Sequence, residues 1–61
     1  MDVNGYKVFG RMWGKKRAIL DPNFEPWVGA LLSNDDGEKF KIMTVELTDA
    51  GYELILNPVA K

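Results

Sequence analysis

The sequence predicts an all-β domain, a small five-stranded barrel or strongly bent meander sheet. Three observations point there. Two turn signatures of one kind, Asn34-Asp35-Asp36-Gly37 and Thr48-Asp49-Ala50-Gly51, each end in glycine after an Asp-containing pair, which suits a type I turn followed by a left-handed residue in a G1 bulge. The runs flanking these turns, such as Tyr52-Glu53-Leu54-Ile55-Leu56, have the period of two expected of strands. The run between them, Glu38 to Leu47, sets Phe40 and Ile42 on one face but Met43, Val45 and Leu47 on the other. A flat strand alternates throughout, whereas a strand bent around a small core needs such a change of phase.

Taken in order, Tyr6 to Trp13 reads as the first strand, with Gly10 marking a bulge or tight bend. Arg17 to Leu20 reads as a second, shorter strand, ended by the turn chemistry of Asp21-Pro22-Asn23. Trp27 to Ser33, Glu38 to Leu47 and Tyr52 to Leu56 follow as a meander. One stretch competes for helix: Pro26 at a first helical position, then Trp27, Val28, Ala30, Leu31 and Leu32, closed by Asn34, would make two turns, although Gly29 opposes them. The domain is therefore β-rich with at most one short helix, of SH3-like or OB-like size.

A second ambiguity lies in the nine residues Leu47 to Ile55. They resemble the strand-to-helix junction after the wing of winged-helix DNA-binding domains, where Leu-Thr-acid-x-Gly introduces a helix capped by the threonine. The resemblance implies a helix where the meander has its last strand. No helix-turn-helix pattern precedes it, and Gly5, Gly10, Gly14 and Gly29 stand where recognition helices would have to lie, so the meander is the reading taken.

Sixty-one residues make a single domain, residues 1–61, and a chain this short buries only about 60% of the surface its unfolded form exposes. With neither cysteine nor histidine it has no disulfide framework and no Cys/His zinc site, so its stability comes from packing or from a partner. The longest uncharged apolar stretch, Trp27 to Leu32, is far too short to span a bilayer, and Met1 to Gly5 lacks the basic and apolar regions of a leader. A cytoplasmic location without membrane association is expected.

The side chains argue against catalysis. General acid–base chemistry most often uses histidine, and nucleophilic chemistry needs an activated group beside a base. Ser33 is the only serine and abuts a turn, where it serves the local backbone. Asp21 with Glu25, or Asp35 with Asp36, form carboxylate pairs, but in turns and without a partner group. Neither a phosphate-cradling glycine loop nor a calcium-loop spacing occurs. The chain is expected to be no enzyme, to hold no metal and to use no cofactor.

Binding remains, and charge is the first guide. Residues 1–20 carry a net +4 and residues 21–61 a net −5. Such asymmetry reads either as complementarity between neighbouring strands or as a basic face for an anionic partner. Two sets of residues are candidate contacts. The first is Phe24, Pro26 and Trp27, two aromatics around a proline in a connecting loop, with the acidic turn residues Asp35, Asp36 and Asp49 at the rim. These suit a protein partner, unless the loop is a lid folded over one end of the barrel. The edge of the last strand, Tyr52 to Leu56, offers strand pairing to another chain, and a homo-oligomer also fits. The second set is Lys7, Phe9, Arg11, Trp13 and Lys15, which strict alternation places on one face, bases interleaved with aromatics. That combination suits single-stranded DNA or RNA, provided that no bulge at Gly10 turns Trp13 into the core. Net acidity, with a pI near 5.2, ranks the protein partner first and nucleic acid second.

Overall fold

The computed structural model describes residues 1–14 and 16–59, and all their regular secondary structure is strand. Seven strands form one antiparallel sheet: β1 (Asp2–Val3), β2 (Tyr6–Lys7), β3 (Gly10–Trp13), β4 (Arg17–Leu20), β5 (Leu31–Ser33), β6 (Lys39–Thr48) and β7 (Gly51–Pro58), in the spatial order β2-β1-β5-β6-β7-β4-β3. The outermost strands, β2 and β3, are separated in the chain only by Val8 and Phe9. The Val8 N–H donates to the Met1 carbonyl on one side of the sheet, and the Phe9 carbonyl accepts from the Asp21 N–H on the other. A sheet whose two edges are one continuous segment must curl, and this one forms a half-barrel of small-barrel scale, 33 × 19 × 19 Å.

The seven strands depart from the expected five at two places. Tyr6 to Trp13 is not one strand but two, because the chain changes pairing partner at Val8–Phe9. The other addition is β1, joined to β2 by Asn4–Gly5. Asn4 (φ 48°) and Gly5 (φ 88°) are both left-handed, as a two-residue type I′ hairpin requires. Asn4 also ties the hairpin to β5: its N–H donates to the Leu31 carbonyl and its Oδ1 accepts from the Leu31 N–H, each at 2.9 Å.

Of the two similar turns, the first forms as its residues predict. Gly37 (φ 85°) follows a turn in which its N–H reaches the Asn34 carbonyl at 3.1 Å, and Asn34 Oδ1 accepts from the N–H groups of Asp36 (3.0 Å) and Glu38 (2.9 Å). The second is tighter. Thr48 pairs directly with Gly51 across two residues, and the Thr48 hydroxyl donates to the Gly51 carbonyl and accepts from the Ala50 N–H. Gly51 is required for another reason as well: a Cβ there would collide with the Leu20 carbonyl oxygen.

Residues Gly51–Pro58 are strand, so the helix implied by the winged-helix resemblance does not form. The Pro26–Asn34 helix is absent too. Gly29 (φ 92°) turns the chain there, and only Leu31–Ser33 is regular. The change of phase in β6 is a bulge at Met43, the one residue skipped where pairing passes from Ile42↔Leu56 to Thr44↔Ile55. The extra residue lets Ile42 and Val45 both pair with buried leucines, Leu56 and Leu54. Ten apolar side chains, Phe40, Leu20, Leu32, Ile42, Leu54 and Val3 the largest fully buried among them, make the core inside the curl.

Candidate functional site

A core of ten side chains leaves large apolar groups outside it, and these gather on two surfaces. The first lies at the end of the half-barrel crossed by the loop between β4 and β5. The Phe24 N–H donates to the Asp21 carbonyl, Pro26 is buried, and Phe24 packs half-buried against the core. The loop is thus a lid, as one of the two sequence readings has it. Trp27 nonetheless stays 44% exposed on this lid, and Tyr6, beyond the Asn4–Gly5 turn, is 63% exposed. Phe24 lies between them, its ring centroid 6.1 Å from Tyr6 and 6.1 Å from Trp27, tilted 39° in each case. Three rings in sequence, the middle one anchored and the outer two wet, form an exposed aromatic cluster.

Asp35 and Asp36 do not rim this cluster. They occupy the β5–β6 turn, beyond the opposite end of β5 from Trp27, beside a cleft of about 420 Å³ that reaches Met1, Met12 and Phe40. There the N-terminal ammonium of Met1 lies 3.3 Å from Asp35 Oδ1. That is the one ion pair within 4 Å among the described residues, and the one directly opposed pair of opposite charges in their ladders is Asp2 with Lys7, both in the first twenty residues. The last strand offers no edge either, since β7 lies between β6 and β4; the free edges belong to β2 and β3.

The second surface is the outer face of the sheet. Pairing of β3 with β4 is regular from Gly10↔Leu20 to Trp13↔Arg17, so Gly10 carries no bulge. Its need for glycine is a close approach: a Cβ would collide with the Ile19 carbonyl oxygen. Alternation therefore holds, and Phe9 (71% exposed), Arg11 and Trp13 (50% exposed) share one face. Together with Ile19, Asp21, Ala50 and Glu53 they line an open groove of about 470 Å³. Lys7 does not line this groove; it lies on β2, opposite Asp2 and on the other side of the Val8–Phe9 crossing. Lys15 lies outside the described residues.

Sequence reasoning missed Tyr6 as a member of the aromatic cluster, and missed Arg17, Lys39 and Lys41 on the outer face. Asn4–Gly5 beside Tyr6 was the available signal for the first, and the Lys39-Phe40-Lys41 alternation for two of the others. Among the described residues no group of three or more carboxylates could hold a metal ion, and no helix is long and apolar enough to cross a membrane. No protein-family model, curated protein or solved structure matches the chain.

Proposed function

We propose that this domain is a non-catalytic binding module whose partner is another protein, held by the aromatic cluster of Tyr6, Phe24 and Trp27. The observation that carries the reading is the pair of wet rings on an anchored one: Tyr6 and Trp27 stay exposed although Phe24 between them packs on the core. Exposed aromatics supply large rigid contact area at small cost in side-chain entropy, and such residues dominate the energetics of interfaces. Pro26, buried beneath, stiffens the lid that presents Trp27.

The test is a Tyr6→Ala/Trp27→Ala double variant in affinity capture with identification of the bound protein, followed by titration of the purified pair. Binding should weaken by more than about 30-fold, as hot-spot truncation of about 2 kcal/mol or more implies, while a Phe9→Ala/Trp13→Ala variant binds normally. Equal capture by the Tyr6/Trp27 variant overturns the reading.

A second reading, single-stranded nucleic acid on the β3 face, is favoured by the unbroken register through Gly10, which keeps Phe9, Arg11 and Trp13 together outside. Asp21 and Glu53 in the same groove oppose it locally, so any phosphate contact must come from elsewhere on that face.

A further inference from the structure

We infer that the phosphate contacts come from Arg17, Lys39 and Lys41, and that with Trp13 these residues form a track for single-stranded nucleic acid across the outer face of β6, β7, β4 and β3. The inference rests on the second reading above and is independent of the aromatic cluster.

The register assembles this track from distant parts of the chain. One cross-strand row runs Trp13–Arg17–Ile55–Thr44. The next row along the sheet pairs Asn57 with Lys41, and the row after it contains Lys39, whose carbonyl accepts from the Val59 N–H. All of these side chains are exposed. Lys39 and Lys41, alternate residues of one strand, are about 6.6 Å apart, and Arg17 lies two strand spacings, about 10 Å, from β6. The two lysines belong to the acidic part of the sequence and Arg17 to the basic part, so the patch is invisible to any count of charge along the chain.

Neutralisation is absent as well. None of the three cations pairs with a carboxylate among the described residues. Of the nine acids, six lie in turns and loops, Glu46 and Glu53 lie at the hairpin end of the sheet, and Asp2 is on β1. The rows holding Arg17 and Lys41 contain no acid, and the row of Lys39 reaches one, Asp2, two strands away on β1, where Lys7 stands opposite it. Unpaired cations beside a half-exposed indole match the two chemical features of a single strand, its phosphates and the flat faces of its bases. An anionic lipid surface fits less well, because here the apolar side chains alternate singly with cations and polar groups rather than forming a continuous band.

The experiment is a salt series of anisotropy titrations using a labelled oligothymidylate of about 12 nucleotides, within the range that one small barrel covers. Each single-strand phosphate contact contributes about −0.7 to the log–log salt slope, so these three cations should contribute about −2. Arg17→Gln/Lys39→Gln/Lys41→Gln, checked for an unchanged far-UV circular dichroism spectrum, should bind more weakly with the slope flattened by that amount. Trp13→Ala should lose at least about fivefold in affinity with the slope unchanged. If Trp13→Ala loses binding but the triple variant keeps both affinity and slope, the track is wrong while the second reading survives. Absence of oligonucleotide binding at low salt overturns both, whether or not phosphatidylserine vesicles bind.

Discussion

Glu46 and Glu53 stand directly opposite one another in the β6–β7 ladder, and the next residue in their row is Ile19 rather than a cation. Like charges in that relationship repel across a few ångströms, and opposite charges would attract. Glu46→Lys should therefore raise stability, by about 0.2–1 kcal/mol, measured by urea denaturation. The gain should shrink at high salt, since both groups are exposed. A variant equal to or weaker than the parent at low salt would show that the two carboxylates are held apart.

Gly10 and Gly51 both press on the backbone of β4, at Ile19 and Leu20. Gly10→Ala and Gly51→Ala should each cost at least about 2 kcal/mol, the second through its φ of +129° as well as the contact. Gly5→Ala, where nothing lies within 4 Å, should cost less and only through its positive φ. Denaturation midpoints that rank the three otherwise would contradict the close approach.

Asn34 holds its turn with one side-chain oxygen on two N–H groups and a side-chain N–H on Glu38 Oε1 at 3.1 Å. Asn34→Ala should lose about 1 kcal/mol, the turn being exposed to water that can replace part of the bonding. Amide exchange at Asp36 and Glu38 should quicken in the same variant.

Phe24 and Trp27 are neighbours in the loop but differ in what they touch. Phe24→Ala removes a ring packed on the core and should destabilise the fold by about 2–3 kcal/mol, a large share of the roughly 3–9 kcal/mol that a chain of this length commands. Trp27→Ala should cost clearly less. Acrylamide should quench both tryptophans of the parent efficiently, since Trp13 and Trp27 are each about half exposed.

What could be read from the sequence was local. The limits of β4, the Asn34–Gly37 turn and the phase change in β6 rest on chemistry within a few residues. The break at Val8–Phe9 does not, because both residues favour strand and nothing in them marks a change of partner; closure of the sheet imposes it. The exposure of Trp13 turned on whether Gly10 was a bulge or a close approach, and glycine serves either. The cluster of Tyr6 with Phe24, and that of Lys41 with Arg17, depend on strand order, which composition and alternation leave open.

The passage of the chain from one edge of the sheet to the other also couples motions that are independent in an open sheet. Fraying of β2 from β1 tugs on β3 through two residues, Val8 and Phe9, and the amides that guard this crossing belong to Val8 and Asp21. Although these amides lie on opposite borders, they should exchange with solvent through one shared opening, with equal protection factors, so that the two borders of the sheet open as one cooperative unit.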